Sequence, residues 1–394
     1  MDRNLSRRQI LQGMLGAGAL SLAGFPGMEL PAQEFPPDGP NGQQRGQMNR
    51  FEWQFNKKYA VPALSLAIAR NGKFVYDRAI GTVDKSQSLQ AQQNNLFRIA
   101  SVTKPITSVA VFTLIEAGKL SLNDKVFGPS GVFGTKYGKM PYKQYVQDIT
   151  VDHLLTHTCG GWPNDDSDPM MHNDGWDHSK LISETIQNLP LTYQPGTHWA
   201  YSNFGYCLLG RVIEQVSGQA YADYVKANVL GPCGITDMAI AQNKEKQRYP
   251  NEVVYYGQYG EDPYKLNVTR MDSHGGWVAT PSDLVMFLNH LGGFPGNPSL
   301  LKPETIAAMT TPCPVYPGNS PARYARGWMI RTDAPGTWWH NGSLPGTTTI
   351  MVRAKNTMCW AGLTNTRSQP SDEIDADLDR LFWTLVREVP KWGM

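Results

Sequence analysis

Strand-forming runs occur near both ends of this 394-residue chain and enclose a long stretch dominated by helix and loop signals. In the first run, ALSLAIARNGKFVYDRAIGTVD, two alternating apolar segments flank Asn71-Gly72, a pair typical of a tight β-hairpin. Near the other end, TTTIMVRAKNTMCWAGLTN predicts a second strand pair. We therefore predict an α/β fold in which N- and C-terminal strands form one antiparallel sheet. Helices flank this sheet, and a mostly helical region is inserted between its two halves.

The predicted helices carry start and stop signals that locate their ends. TPSDLVMFL opens with Thr280 as the N-cap, Pro281 at the first helical position and Asp283 completing a capping box. NFGYCLLGRVIEQVSG has apolar residues at helical spacing and ends at Gly218. The last helix is predicted from about residue 371 to residue 389. Its apolar stripe consists of Ile374, Leu378, Leu381, Phe382 and Leu385.

The N-terminal sequence MDRNLSRRQILQGMLGAGALSLAGF resembles an export signal. Residues 6–11 look like a twin-arginine motif, and the Gly/Ala/Leu-rich stretch after them is shorter than the roughly 20 apolar residues of a membrane-spanning helix. The order of charge, apolar run and small residues favours export over a basic amphipathic N-terminus of a cytosolic protein. We therefore expect a periplasmic or secreted protein without a stable membrane span. The chain then divides into a twin-arginine-type signal peptide with the start of a linker (1–32), a linker (33–48) and one folded domain (49–394). Within this domain we predict an α/β part over roughly 49–115 and 275–394 and a helical part over roughly 116–274.

Composition excludes several classes of protein. Hydrophobic residues make up 41% of the chain and charged residues 18%, as in a globular protein. The net charge of +2, without a long block of like charge, argues against a nucleic-acid partner. His153 and His157 have the spacing of a zinc helix but lack its glutamate, so we expect no metal site. Five cysteines show neither zinc nor redox spacing, and a disulfide is permitted but not indicated: Cys159, Cys207, Cys233, Cys313 and Cys359.

The segment FRIASVTKPITS, residues 97–108, contains the candidate catalytic pair. Ser101 and Lys104 lie three residues apart at the start of a predicted helix, so the lysine amine can reach the serine hydroxyl. A serine at this position is also a favourable helix N-cap, which is the structural alternative. A second Ser-x-x-Lys occurs at Ser299–Lys302, where prolines on both sides indicate a loop. Only Ser101 therefore has the helical setting in which a lysine could activate a serine nucleophile.

Two later segments supply candidate partners for this pair. A serine hydroxyl needs a base, and a lysine serves as one when burial or another cation lowers its pKa. Tyr201, in the Tyr-x-Asn of PGTHWAYSNFGY that ends at Asn203, could share this proton relay; the alternative is a loop tyrosine with Asn203 as the next helix N-cap. His340 and Gly342 lie in WWHNGSLPG, just before the C-terminal strand pair, where a glycine would let a substrate approach an edge strand closely. The alternative for His340 is a surface loop histidine.

In this order and at these separations, the three motifs resemble those of the serine β-lactamase and penicillin-binding protein superfamily. Its most similar branches are the class C β-lactamases, the related DD-carboxypeptidases and the family VIII esterases. The similarity covers nearly all of residues 50–390 and includes VPALSLAIARNGKFVYDRAIGTVD, LLTHTCGG, GGWVATPSDL and GSLPGTTT. The resemblance implies the α/β fold of that superfamily and a serine hydrolase that works through an acyl-enzyme.

The resemblance also implies a role for each matching residue. Ser101 would be the acylated nucleophile, and Lys104 would take or relay its proton. Tyr201 would act as general base and later as acid to the leaving group. Asn203 would orient Lys104 and hold a substrate amide or carbonyl. The backbone N–H groups of Ser101 and Ser343 would form the oxyanion hole.

One residue departs from the class C pattern. Class C β-lactamases carry Lys-Thr-Gly at the third motif, and His340 stands in the place of that lysine. A free histidine has a pKa of about 6.5 and is mostly neutral at pH 7. Recognition of a substrate carboxylate, and with it β-lactam hydrolysis, should therefore be weaker or pH-dependent.

These observations predict an exported serine hydrolase of small esters or amides that needs no cofactor. The alternatives are a D-alanyl-D-alanine carboxypeptidase or weak β-lactamase, and a non-catalytic ligand-binding module that kept the fold. The expected partner is a small ester, amide or peptide substrate, bound beside His340 and Gly342 and between cleft loops around residues 160–180 and 240–275.

Overall fold

The computed structural model describes residues 39–318, 321–368 and 371–388. The predicted signal peptide lies outside these residues, as does the first part of the predicted linker. The helices are α1 (Gly42–Tyr59), α2 (Thr103–Glu116), α3 (Val151–Leu155), α4 (His178–Asn188), α5 (Asn203–Ser217), α6 (Tyr221–Val225), α7 (Pro281–Gly292), α8 (Pro303–Met309) and α9 (Ser371–Glu388). The strands are β1 (Ala63–Arg70), β2 (Lys73–Asp84), β3 (Leu89–Gln90), β4 (Phe97–Arg98), β5 (Ala239–Ile240), β6 (Trp277–Ala279), β7 (Ala322–Tyr324), β8 (Met329–Arg331), β9 (Trp338–Leu344), β10 (Thr347–Arg353) and β11 (Met358–Thr364).

The main sheet has eight strands in the order β3-β2-β1-β11-β10-β9-β8-β7. Its centre joins the two ends of the chain, because β1 pairs antiparallel with β2 on one edge and with β11 on the other. The hairpin at Asn71-Gly72 and the β10–β11 pair are both present. The predicted fold class, with one antiparallel sheet of N- and C-terminal strands and helices around it, is confirmed.

Strand β1 is more deeply buried than its alternating sequence suggested. Every residue from Ala63 to Ala69 is buried, because helices cover both faces of the sheet. On one face Leu64 packs in a cluster with α1 and α9, which includes the predicted stripe of the last helix. On the other face Ala67 joins the large core that contains α2 and α7. A central strand covered on both sides needs small or apolar residues at every position.

Helix α1 begins at Gly42, inside the stretch 33–48 that composition assigned to a linker. Asn41 caps it, since its side chain accepts from the Gln44 N–H while the Gln44 side chain accepts from the Asn41 N–H. This reciprocal pair is a capping box and outweighs the Gly- and Gln-rich composition. The helix packs on the sheet through buried residues such as Met48.

Caps fix the start of α7 and both ends of α5. Thr280 caps α7 in a capping box with Asp283, as predicted. Gly218 ends α5 in the left-handed conformation with φ +72°, also as predicted. The N-cap of α5 is Ser202, whose hydroxyl accepts from the Gly205 N–H at 3.1 Å. The alternative that made Asn203 the cap is therefore wrong, and the Asn203 side chain is available for other contacts.

A second sheet of three short strands, in the order β4-β6-β5, leads the chain into α2. Strand β5 lies within the part predicted as helical, so that part also contains strand. All five cysteines are buried and form no disulfide among the described residues. None of the described helices combines the length and apolarity that a membrane crossing requires.

Candidate active site

Ser101 lies in a short 3-10 turn, Ala100–Val102, between β4 and α2. Its side chain makes no capping bond, so the N-cap interpretation is wrong. Ala100 adopts φ +46°, in the left-handed region that costs a non-glycine residue conformational energy. The turn is held by the Ile99 N–H, which donates to the Trp277 carbonyl on β6 at 2.9 Å. The strained turn leaves Ser101 partly exposed at the edge of the buried core.

Lys104 is fully buried one turn after Ser101, on a helix whose surroundings are apolar. Its Nζ donates to three acceptors, the Ser101 Oγ at 3.1 Å, the Asn203 Oδ1 at 2.8 Å and the His274 carbonyl at 3.0 Å. Burial holds the pKa of Lys104 well below its usual value, and the charge of Asp168 opposes this in part. A lysine with a lowered pKa can act as the base that the serine needs.

Tyr201 completes a compact group with these two residues. The Lys104 Nζ lies 4.6 Å from the centre of the Tyr201 ring, and the Tyr201 hydroxyl hydrogen-bonds to Ser101. Burial raises the pKa of Tyr201, and the hydrogen bond to Ser101 opposes that rise. Tyr201 is therefore a protonated phenol near neutral pH and can donate a proton. Lys104 is the group better suited to accept one.

Aromatic and imidazole rings fix the orientation of Tyr201. The His157 ring lies 4.3 Å from the Tyr201 ring and 4.5 Å from that of Tyr324. The Ser202 N–H donates to His157 Nδ1 at 3.1 Å, so the neutral ring carries its proton on Nε2. Burial lowers the pKa of His157 strongly. His157 is thus an uncharged side chain that lines the site.

Within the described residues no group of three or more His, Cys, Asp or Glu could hold a metal ion.

His340 lies within β9, just before the β10–β11 pair as predicted, and it is only 2% exposed. The alternative of a surface loop histidine is therefore wrong. Its Nδ1–H donates to the Asn341 carbonyl at 2.6 Å, and its Nε2 accepts from the Tyr324 hydroxyl at 3.2 Å. Burial, with the nearby Lys104, lowers the pKa of His340 to about 3. The imidazole is neutral at pH 7, so His340 supplies no cation to a substrate carboxylate.

Gly342 brings β9 against the turn that carries the serine. A Cβ at this position would lie 2.4 Å from the Ile99 carbonyl oxygen and 3.0 Å from the Ala100 Cβ. The glycine is thus required by the approach of the Ser101 turn, and its predicted role in substrate approach stays a prediction.

Ser343 follows one residue later on β9. Strand β8 pairs with β9 only at Trp338 and Trp339, so within the described chain that edge of β9 is open next to Ser343.

One cation lies at the open end of β9. The Arg367 Nη1 donates to the Ser343 Oγ at 3.3 Å. The same guanidinium is bound to Glu261, with Nε 3.0 and 3.1 Å from the two carboxylate oxygens and an ion pair through Nη2. The Glu261 carboxylate therefore balances the positive charge of Arg367 next to Ser343 on β9.

Sequence reasoning missed several groups that the fold brings to the site. Asp168 is fully buried and accepts from the Asn203 side chain at 2.8 Å. His157, Tyr324 and Arg367 join the site as described above. Asp168 and Glu261 come from the two predicted cleft loops, but a loop carboxylate has no periodic pattern that would single it out. His274 contributes a backbone carbonyl, for which the sequence holds no signal.

The chain matches the family model described as Beta-lactamase over residues 48–382. It is 28% identical to Protein flp of Staphylococcus aureus (strain MRSA252) over 295 residues, which are 73% of this chain and 56% of that relative. It is 27% identical to Penicillin-binding protein 4* of Bacillus subtilis (strain 168) over 319 residues, 72% of this chain and 64% of the relative. The chain thus spans less than two thirds of the length of these two relatives.

Solved structures show the same fold at low identity. D-amino acid amidase from Ochrobactrum anthropi SV3 superposes with a TM-score of 0.72 and 21% identity, over 89% of this chain and 100% of the amidase. A penicillin-binding protein homologue from Pyrococcus abyssi superposes with a TM-score of 0.69 and 24% identity, over 88% and 79% of the two chains. Since the family model covers most of its length, this chain belongs to the beta-lactamase family.

Proposed function

We propose that this protein hydrolyses small esters or amides through an acyl-enzyme on Ser101. The observation that carries the proposal is the contact between the Ser101 Oγ and the Nζ of the fully buried Lys104 at 3.1 Å. A buried amine with a lowered pKa is neutral in a larger fraction of molecules and can accept the hydroxyl proton.

The proposed cycle assigns one proton to each step. Ser101 attacks the substrate carbonyl as Lys104 takes its proton, and the backbone N–H groups of Ser101 and Ser343 stabilise the oxyanion. Each such donor contributes about 10²–10³ in rate in other enzymes. The Tyr201 phenol then donates its proton to the leaving group and recovers one from Lys104. In the second half, a water loses a proton to this pair and attacks the acyl-enzyme, and the pair returns that proton to the Ser101 Oγ as the acid leaves.

The charges around β9 favour substrates with an uncharged leaving group. His340 is neutral, and Arg367 is already bound to Glu261. A substrate carboxylate at this position would have to displace Glu261 from the guanidinium. The fold shared with a D-amino acid amidase is compatible with an amide substrate.

A second candidate is a D-alanyl-D-alanine carboxypeptidase or weak β-lactamase. It is supported by the similarity to the penicillin-binding protein of Bacillus subtilis and by the position of Arg367 next to Ser343. If Glu261 can give way, the arginine could bind the carboxylate of a peptide or a penicillin.

The test compares Ser101→Ala with Ser299→Ala, a matched control in the second Ser-x-x-Lys, which lies in a loop. We expect Ser101→Ala to lose turnover of p-nitrophenyl acetate and butyrate, while Ser299→Ala keeps it. Undiminished turnover by Ser101→Ala would remove the nucleophile assignment. A panel with short-chain esters, nitrocefin and D-Ala-D-Ala peptides ranks the substrate classes. Mass spectrometry after penicillin exposure separates the two candidates, because a long-lived adduct on Ser101 favours the second.

We also propose that the protein is exported to the periplasm or secreted. The support is the twin-arginine-like sequence at residues 6–11 and the apolar run that follows it. Cell fractionation of the wild-type protein and of the double variant Arg7→Lys/Arg8→Lys tests this, and we expect the variant to stay in the cytoplasm. Accumulation of the wild-type protein in the cytoplasm would contradict export.

A further inference from the structure

Asp168 is a fully buried carboxylate that the proposed cycle does not use. It lies in the loop before α4, at the start of a short 3-10 turn, and its Oδ1 accepts from the Met170 N–H at 2.9 Å. Its Oδ2 accepts from the Asn203 Nδ2 at 2.8 Å. Asn203 in turn contacts the Lys104 Nζ through its Oδ1. One side-chain amide therefore connects Asp168 to the candidate base.

The carboxylate determines which end of the Asn203 amide faces Lys104. Burial raises the pKa of Asp168, and the hydrogen bonds from Asn203 and Met170 and the charge of Lys104 oppose that rise. In its ionised form the carboxylate can only accept hydrogen bonds, so the NH₂ end of Asn203 must face Asp168. The amide oxygen must then face Lys104. The other partner of Nδ2, the Asn164 Oδ1 at 2.8 Å, imposes no such choice, because a flipped Asn164 amide could present its own NH₂ group.

The orientation of this amide directs the lone pair of Lys104. A neutral amine has two N–H donors and one lone pair. Asn203 Oδ1 and the His274 carbonyl, at 2.8 and 3.0 Å, can only accept, so they take both donors. The lone pair is left for the third neighbour, the Ser101 hydroxyl at 3.1 Å. If Asn203 were flipped, its NH₂ group would donate to Lys104 and occupy the lone pair.

We propose that Asp168 is a positioning residue, which holds the Asn203 amide so that the lone pair of neutral Lys104 points at Ser101. This inference rests on the proposed function of Ser101 and Lys104. Asp168 touches neither the nucleophile nor the substrate, and acts through Asn203.

Asp168 also sets the charge that Lys104 experiences. The titratable groups facing Lys104 are Asp168, two tyrosines and three histidines. The five neutral ones are Tyr201, Tyr206, His157, His274 and His340. Burial lowers the pKa of each histidine and raises that of each tyrosine, so all are uncharged near pH 7. Among the described residues Asp168 is the anion facing Lys104, and removing its charge should lower the pKa of Lys104 further.

The experiment measures kcat and KM for a p-nitrophenyl ester across pH in Asp168→Asn. We expect kcat on the plateau to fall about tenfold to a hundredfold, on the scale of one hydrogen bond to a charged group, with KM changed less than about threefold. The acid limb of the kcat profile should move to lower pH by about one unit. Asp166→Asn is the matched control, an exposed residue in the same loop, and should behave as wild type.

A purely structural role for Asp168 would lower the thermal midpoint and leave the acid limb in place. Asp168→Ser, which keeps a side-chain acceptor for the Met170 N–H, should reproduce both the loss of kcat and the shift of the limb. Wild-type kinetics in Asp168→Asn, or the unfolding of both variants, would overturn the positioning role. Either result is distinct from failure of the proposed function, which would appear as activity retained by Ser101→Ala.

Discussion

Glu52 provides a test of the electrostatics of the sheet that does not depend on activity. It lies on α1 with no exposed surface, where its Oε1 accepts from the Tyr76 hydroxyl at 2.8 Å. The Arg78 Nε is 3.4 Å from its Oε2. Burial raises the pKa of Glu52 from 4.5 to about 7, with Arg78 and Tyr76 opposing. The folded protein therefore keeps a proton on Glu52 over a range in which the unfolded chain has lost it.

The sign and size of the effect follow from this difference. The pKa of Glu52 is higher in the folded protein than in the unfolded chain. Below pH 4.5 Glu52 is protonated in both states and costs no stability, and the free energy of unfolding falls as the pH rises towards about 7. At about 1.4 kcal/mol per pKa unit, ionised Glu52 costs about 3 kcal/mol above pH 7. Glu52→Gln removes the ionisation and keeps an acceptor for Tyr76. The variant should therefore be more stable than wild type at pH 8 by up to about 3 kcal/mol, and close to wild type at pH 5.

Denaturant unfolding of both proteins at pH 5 and pH 8 measures this difference as a change of midpoint at constant slope. Glu304→Gln serves as the control, because Glu304 is an exposed carboxylate in the first turn of α8. Its midpoint at pH 8 should stay close to that of wild type, because substitutions of exposed side chains change stability little. If the advantage of Glu52→Gln were the same at pH 5 and pH 8, or were absent at pH 8, the burial argument would be refuted.

Two further predictions concern the site. Gly342→Ala should lower kcat/KM for esters about a hundredfold, because its Cβ would lie 2.4 Å from the Ile99 carbonyl and displace the turn that holds Ser101; steady-state kinetics with wild-type values would contradict the close packing. Glu261→Gln should free Arg367 and lower KM about tenfold for substrates with a free carboxylate, leaving neutral esters unchanged. A matched pair of ester substrates measures this, and an equal change for both would contradict it.

Local rules accounted for much of the fold and for the core of the site. The hairpin at Asn71-Gly72 and the cap at Thr280 depend on neighbours in sequence, and both are present. The Ser101–Lys104 contact is an i, i+3 relation and follows from helical spacing. Tyr201 could be selected only through the resemblance of its motif, in order and separation, to that of the serine β-lactamase and penicillin-binding protein superfamily.

Contacts between distant segments could not be predicted in the same way. Asp168 reaches Asn203 because two loops fold against each other, and no periodicity in the sequence records this. A mostly neutral His340 could be expected at pH 7, but burial lowers its pKa further, to about 3, and this fall could not be predicted from the sequence. The alternative interpretation of Asn203 as the N-cap of α5 is wrong by one residue, because Ser202 and Asn203 are both good caps.

The pairing at the centre of the sheet has a consequence for biosynthesis. Leu64 on β1 lies opposite Thr364 on β11, so that edge of β1 finds its partner only after residue 364 has been synthesised. At roughly 5–20 residues per second, the nascent chain carries an apolar, unpaired strand edge for about 15–60 s. An unpaired edge of this kind promotes aggregation. Any premature stop before β11 should therefore yield an insoluble fragment, even when it retains Ser101, Lys104 and Tyr201.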